Sequence, residues 1–261
     1  MTSTGVARYQ ERHALITGGA GAIGSATAQR MLREGARVTV WDRSADALAV
    51  LKSQAVDAER LELDVVDLAD PERIRTACAG LIERHGAVDV LVNNVGGAFD
   101  RPYSLLQQTD EDWRFTLDLN LLSAVRVTRA FAPAMVERGY GRIVNVGSKA
   151  GRYGSFIDGP SYVAAKGALH ALTMQIAMEF GPSGVTCNAV APAMVMIERV
   201  RRLWESRRSP DEREAIRRSI PLRRYAQPDD VAAVIAFLGS DDAAFVTGVV
   251  VDVNGGQSMQ T

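Results

Sequence analysis

Short apolar runs and longer amphipathic stretches alternate along the chain. Ala14 to Thr17, Arg37 to Trp41, Leu61 to Val65, Val88 to Val92, Arg142 to Val146 and Val185 to Val190 are nearly continuous apolar runs rich in Val, Ile and Leu. Runs of that kind suit strands covered on both faces of a parallel sheet. A last apolar run lies between Gly248 and Gly256. Between these runs fall helical patterns: one from a glycine turn to Glu34-Gly35, others near Ser44 to Ser53 and from Asp70 to Arg84, the latter opened by Pro71 and closed by Gly86. Longer ones follow, from a capping Asp110 to Val136 and from Pro160 to Phe180, the second apolar enough to read as buried. Strand and helix in alternation predict an α/β fold, a doubly wound parallel sheet of about seven strands with helices on both faces. Ligands gather at the carboxyl ends of such strands, where Gly18, Asp42, Asp64, Asn93 and Ser148 all fall. No repeat, low-complexity tract or Pro/Gly-rich linker divides the chain, so residues 1–261 read as one domain.

Composition narrows the function classes. Hydrophobic residues make up 47% of the 261 residues, charged residues 23%, and the net charge is −1. That balance gives no global drive toward nucleic acid or a membrane surface. No apolar run approaches a membrane span, and Met1 to Gln10 is polar without a signal-peptide core, so a cytoplasmic protein is expected. Cys78 and Cys187 are too few for a disulfide framework and lack neighbours at metal-ligand spacing, so both read as core fillers and no metal is expected. His13, His85 and His170 are scattered and read as structural.

Candidate chemistry starts at the first strand, which runs into Gly18-Gly19-Ala20-Gly21-Ala22-Ile23-Gly24 and then a helix. In that context glycines let the backbone approach a pyrophosphate, whose charge sits at the helix N-terminus; a tight turn without a ligand is the alternative. The second strand ends in Asp42, about twenty residues on, where an acid accepts hydrogen bonds from both adenosine ribose hydroxyls and repels a 2′-phosphate. This favours NAD over NADP, although the adjacent Arg43 could attract that phosphate, and Asp42 could equally be a turn or capping residue. Tyr162 and Lys166 are four residues apart at the start of the Pro160 to Phe180 helix, on one face. Holding a tyrosine half ionised near neutrality needs about 4 kcal/mol of differential stabilisation, which a nearby cation in a poorly solvated cleft could largely supply. An amphipathic helix with a snorkelling lysine gives the same pattern. Asn120, within an apolar helix, needs partners for its amide and is either locally bonded or part of a site.

Taken in order, these motifs resemble the short-chain dehydrogenase/reductase family over nearly the whole chain. They are Thr17-Gly18-(three residues)-Ala22-Ile23-Gly24, Asp64-Val65, Asn93-Asn94-Val95-Gly96, the set Asn120, Ser148, Tyr162 and Lys166, Pro192 after the sixth strand, and Gly248 to Gly256. The resemblance implies a Rossmann-like fold, reversible hydride transfer between a nicotinamide cofactor and a secondary alcohol or ketone, and Asn120, Ser148, Tyr162 and Lys166 as the catalytic set. Tyr162 would be the acid/base, Ser148 would hold the substrate oxygen, Lys166 would lower the Tyr162 pKa and bind the nicotinamide ribose, and Asn120 would hold a relay water. Cofactor contacts would fall on Gly18, Gly21, Ala22, Ile23, Gly24, Asp42, Arg43, Asp64, Val65, Asn94, Val95, Gly96, Tyr162, Lys166, Pro192 and Val195, with Asp64-Val65 at the adenine. Relatives also pack the two long helices across a two-fold axis, which implies a homotetramer, with a second interface near Val249 to Thr261. The chain departs from the family at Ala22, at Val95, and at Pro192-Ala193 with Ile197 where a nicotinamide-binding Thr is usual.

The substrate end is the most open part of the reading. Residues 193–224 are expected to form a lid, and they carry Arg199, Arg201, Arg202, Arg207, Arg208, Arg213, Arg217, Arg218, Arg223 and Arg224 among five acids. Either they attract an anionic substrate, such as a carboxylate or an acyl thioester on CoA or a carrier protein, or they are a solvated face laced with Arg–Glu pairs. Met194, Met196, Phe156 and Trp204 are candidate pocket walls, with Arg152 to Pro160 along the border. The leading expectation is an NAD-dependent alcohol dehydrogenase. A 3-oxoacyl thioester reductase using NADPH is the alternative, and a catalytically silent dinucleotide-binding protein the third.

Overall fold

Among the described residues seven strands, all parallel, form one sheet in the order β3-β2-β1-β4-β5-β6-β7. The computed structural model describes residues 7–98, 101–155 and 157–259. The strands are β1 (His13–Thr17), β2 (Arg37–Asp42), β3 (Leu61–Val65), β4 (Val90–Asn93), β5 (Gly141–Val146), β6 (Val185–Pro192) and β7 (Val250–Val253). The helices are α1 (Ala22–Arg33), α2 (Ala45–Ser53), α3 (Pro71–His85), α4 (Asp110–Leu117), α5 (Ser123–Arg138), α6 (Ala150–Tyr153), α7 (Pro160–Phe180), α8 (Glu198–Arg207), α9 (Pro210–Ser219) and α10 (Pro228–Leu238).

The period-two alternation of strands splits each apolar run between two cores. Ala14, Ile16, Val90, Val92, Val144 and Val146 face α1, α2 and α10 through Met31, Leu48, Leu51 and Ile235. Leu15, Leu91 and Ile143 face the other way, onto Ile74 and Leu81 of α3, Phe131 and Met135 of α5, and Ile176 of α7. Each fully buried side chain of this size contributes about 1.5–3 kcal/mol, so both layers hold the helices to the sheet. The strand order reverses between β1 and β4, whose carboxyl ends part there to leave a crevice.

Helix boundaries differ from the sequence pattern where side chains take over the backbone. The cap before α4 is Thr109, not Asp110, because the Thr109 hydroxyl accepts the Asp112 N–H while the Asp112 carboxylate accepts the Thr109 N–H. The long helix expected to Val136 is interrupted by a π-helical turn, Asp118–Leu122, that separates α4 from α5. Helix α7 spans the expected residues, but only one face is covered: Met174 is 49% and Met178 77% exposed. Residues 193–224 carry two helices, α8 and α9, over the carboxyl end of the sheet.

Candidate active site

A cleft of about 1490 Å³ opens along the carboxyl ends of β1, β2, β4, β5 and β6. At one end, the turn after β1 is shaped by contacts that exclude side chains. Gly18 has φ +61°, and a Cβ there would lie 2.8 Å from Val95 Cγ2. Asn94 ties β4 to this turn, its Nδ2 donating to the Thr17 carbonyl at 3.1 Å and the Gly18 carbonyl at 2.8 Å. Gly21 precedes α1 without a side-chain cap, and the first turn of α1 carries no acid. The N–H groups and positive dipole end of α1 are therefore left for an anion, beside Gly18, Gly21, Ala22 and Ile23 of the cleft wall. Gly24 is not part of that wall. Its Cβ would strike the Gly19 Cα at 2.5 Å, so this glycine serves the packing of α1 under the turn.

Asp42 closes this end of the cleft, with Arg43 beside it. The Asp42 carboxylate is pinned on both oxygens, accepting from the Ala20 N–H at 3.2 Å and the Ser44 N–H at 3.1 Å. The N-cap of α2 is Ser44, so Asp42 shapes the turn without being the cap. Asp64 and Val65, expected at the adenine, are not brought to the cleft. Asp64 accepts from Trp41 Nε1 at 3.0 Å and Arg84 Nη2 at 2.8 Å, and Val65 is 63% exposed. The wall at that point is the following segment, Val66, Asp67, Leu68 and Ala69.

Toward the centre, Gly96 separates two polar groups brought from distant helices. A Cβ on Gly96 would lie 2.6 Å from both Asn120 Oδ1 and Lys166 Nζ. Asn120 sits in the π-helical turn and is almost fully committed: Nδ2 donates to the Thr116 and Gly97 carbonyls at 3.0 and 3.1 Å, and Oδ1 accepts the Gly97 N–H at 2.9 Å. Of the Asn120 amide only the second lone pair of Oδ1 is left for a further partner. Lys166 is buried and donates to the Val146 carbonyl at 2.8 Å, with Nζ 5.9 Å from the centre of the Tyr162 ring. Burial lowers the Lys166 pKa to about 8.

Tyr162 departs from the expectation that Lys166 draws its pKa down. Burial holds the phenol well above its ordinary range, the Asp158 charge raises it further, and a hydrogen bond from Ser148 pulls it partly back. The physical reason is that removal of water penalises the phenolate, while the Lys166 ammonium is engaged by the Val146 carbonyl. Ser148 itself is oriented by the Ala150 N–H, which donates to its hydroxyl at 3.1 Å, and its own N–H lies 3.4 Å from His170 Nε2. Pro192, Ala193, Met194, Val195 and Ile197 form the wall after β6. Ile197, in the place of the usual Thr, presents only hydrocarbon there.

The outer half of the cleft answers the two readings of the arginines. Arg202 pairs with Glu198, Arg208 with Glu212, Arg213 with Glu205, Arg217 and Arg218 with Glu214, and Arg224 with Asp230. Of these only Arg208 reaches the cleft. The paired, solvated face is the reading that fits. Trp204 and Met194 line the cleft, Met196 does not, and Phe156 lies outside the described residues, as do the side chains of Arg199 and Arg207. Met196 is instead held to a neighbouring segment, its N–H donating to the Ala226 carbonyl at 2.9 Å. Lys149 and Tyr225 line the cleft without having been singled out in the sequence, and Asp158 lies within the expected Arg152 to Pro160 border. The first two come from a loop and a segment without periodicity, and only their convergence marks them.

A family model described as enoyl-(acyl carrier protein) reductase matches residues 18–258. The chain belongs to the short-chain dehydrogenase/reductase family. It is 38% identical to 2,3-dihydroxy-2,3-dihydro-p-cumate dehydrogenase of Pseudomonas putida, over 94% of each chain. It is 35% identical to acetoacetyl-CoA reductase of Allochromatium vinosum, over 95% of this chain and 99% of that one. Among solved structures, levodione reductase superposes with a TM-score of 0.88 at 30% identity, covering 96% of this chain and 98% of that one. The short-chain dehydrogenase/reductase chain described here is accordingly an oxidoreductase that transfers hydride between a nicotinamide dinucleotide and alcohol or ketone substrates.

Proposed function

We propose that the chain is an NAD(H)-dependent secondary alcohol dehydrogenase, with Tyr162 as its acid/base. The observation that carries the choice of cofactor is Asp42, a carboxylate fixed on both oxygens by backbone N–H groups at the adenosine end of the cleft. A dinucleotide fits the residues present: the uncapped start of α1 takes the pyrophosphate, Asp42 the ribose hydroxyls, Val66 and Asp67 the adenine edge, and Asn94 to Gly96 with Pro192 and Val195 the nicotinamide half. When bound, the nicotinamide supplies the hydride acceptor, and its positive charge in the oxidised form favours phenolate.

Within that site Ser148 donates a hydrogen bond to the substrate oxygen and Tyr162 exchanges a proton with it. Lys166 holds the nicotinamide ribose. In the oxidation direction the substrate's proton passes to Tyr162, and a water held by Asn120 Oδ1 near Lys166 would carry it on to bulk solvent. Because burial keeps the phenol protonated in the protein alone, Tyr162 is set to donate to a ketone, and alcohol oxidation needs alkaline pH or the cationic nicotinamide.

The second reading, reduction of acyl thioesters with NADPH, draws on the acetoacetyl-CoA reductase relative. The pairing of the arginines and the pinned Asp42 argue against it. We place the enzyme in the cytoplasm as a homotetramer, a reading supported by Met174 and Met178 on α7 and by Phe245, Val249 and Met259 near β7, all exposed apolar side chains. Among the described residues no helix is long and apolar enough to cross a membrane. The test is NADH formation at pH 8–9 with neutral secondary alcohols and hydroxyacyl-CoA thioesters, with NADP as control. NAD-linked turnover of neutral alcohols is expected; turnover confined to NADP and thioesters would overturn the proposal.

A further inference from the structure

Asp158 is a carboxylate in the substrate half of the cleft that the hydride-transfer machinery does not use. The loop before α7 holds it in one orientation. Ser155 Oγ accepts the N–H groups of Ile157 and Asp158, both at 3.1 Å, so its single proton goes to Asp158 Oδ2, at 2.8 Å. Oδ2 is thereby the structural oxygen. Oδ1 takes no hydrogen bond from any described residue and is not sealed in the interior, so it opens on the cleft.

Buried carboxylates are ordinarily paired with a cation. Among the described residues the half-buried Asp158 has none; burial raises its pKa and the Ser155 hydroxyl draws it partly back. Lys149, the other charged side chain on this part of the wall, feels Asp252 instead. Asp158 lies four residues before Tyr162 and lines the same cleft, so Oδ1 and the reacting oxygen face one cavity. An unpaired acceptor on a wall shared with Trp204, Met194 and Ile197 is suited to a hydrogen-bond donor.

We propose that Asp158 Oδ1 accepts a hydrogen bond from a second hydroxyl of the substrate, next to the carbon that Tyr162 and Ser148 serve, making the enzyme selective for vicinal diols over simple alcohols. The inference rests on the alcohol dehydrogenase reading and narrows its substrate class. A hydrogen bond to a charged acceptor in such a site is worth about a tenfold to hundredfold preference.

The test is calorimetric binding of cis-cyclohexane-1,2-diol, cyclohexanol and cis-2-aminocyclohexanol to the protein saturated with NADH, paired with steady-state oxidation of the first two by NAD. Wild-type protein is expected to bind the diol at least tenfold more tightly than cyclohexanol. Asp158→Leu should remove that gap while cyclohexanol is still oxidised, its rate profile displaced toward lower pH because the Asp158 charge no longer raises the Tyr162 pKa; an unchanged melting temperature reports an intact fold. Asp158→Asn keeps the acceptor for Ser155 and should lose most of the diol preference with no change in melting temperature. Equal binding of diol and cyclohexanol by wild type, or a gap that survives in both variants, overturns the inference while turnover of cyclohexanol leaves the dehydrogenase reading standing. Tighter binding of the amino alcohol than the diol would replace the hydroxyl by an ammonium and also overturn it. Absence of any NAD-linked turnover would sink the dehydrogenase reading, and the binding measurement would still decide whether Asp158 selects a second hydroxyl.

Discussion

Replacing Asp42 should change the cofactor rather than the chemistry. Its carboxylate is held at 3.2 Å from the Ala20 nitrogen and 3.1 Å from the Ser44 nitrogen, so it cannot swing aside to admit a 2′-phosphate. A unit charge about 5 Å from that carboxylate, at an effective dielectric near 20, costs roughly 3 kcal/mol; the open cleft mouth reduces this to about 2. The ribose hydroxyls bonded to the carboxylate are worth about 1.5–3 kcal/mol more. Together these predict a preference for NAD over NADP in kcat/KM of roughly a few hundredfold to several thousandfold. Asp42→Ala should lose both contributions, lowering kcat/KM for NAD at least about tenfold and raising that for NADP, with Arg43 left as the neighbouring cation. Asp42→Asn keeps one acceptor oxygen and should fall between. The assay is initial-rate formation of reduced cofactor with each dinucleotide at fixed alcohol. A wild-type ratio near one, or an Asp42→Ala ratio within threefold of wild type, would refute the reasoning.

Tyr162→Phe and Lys166→Ala should each lower kcat by about 10² or more while circular dichroism is unchanged; substantial turnover by Tyr162→Phe would remove it as the acid/base. Gly96→Ala should cost activity well beyond its effect on stability, because the new methyl meets Asn120 Oδ1 and Lys166 Nζ at 2.6 Å; full kcat in that variant would show the two groups are free to move apart. Burial lowers the pKa of His13 and His170 from about 6.5 to about 4, so the folded state prefers both neutral. Their contribution to stability is complete above about pH 6.5 and is lost as pH falls through that range toward 4, roughly 1–2 kcal/mol each after allowance for partial solvation. A melting temperature flat between pH 7.5 and 4.5, or a slope unaltered in a His13→Gln/His170→Gln double variant, would contradict this. Raising ionic strength to about 0.5 M should change kcat/KM for neutral alcohols less than threefold, because the lid arginines are paired with one another's acids and not with substrate.

Much of this enzyme was legible before any coordinate. Apolar runs too continuous for a one-faced sheet suited parallel strands, and the glycines after β1 and the acid at the end of β2 sat where such strands end. Local chemistry sufficed there because each motif lies within one strand–turn–helix unit and its backbone geometry is set by neighbours in sequence. The Tyr162–Lys166 pair was legible for the same reason, since helical spacing alone puts both on one face.

What the tertiary structure alone decided is where groups far apart in sequence meet and what surrounds them. Asp64 looked available at the end of β3, yet Trp41 and Arg84, reaching it from β2 and α3, take it out of the cleft. Asn120 required a π-helical turn that no periodicity announces, and its partners at Gly97 come from another strand's loop. The titration of Tyr162 turned on burial and on Asp158, two quantities that no spacing encodes, because desolvation depends on everything packed around a group and charge acts through space. The arginines of the lid read alike along the chain, and only the folding of α8 and α9 against their own acids separated a solvated face from a substrate clamp.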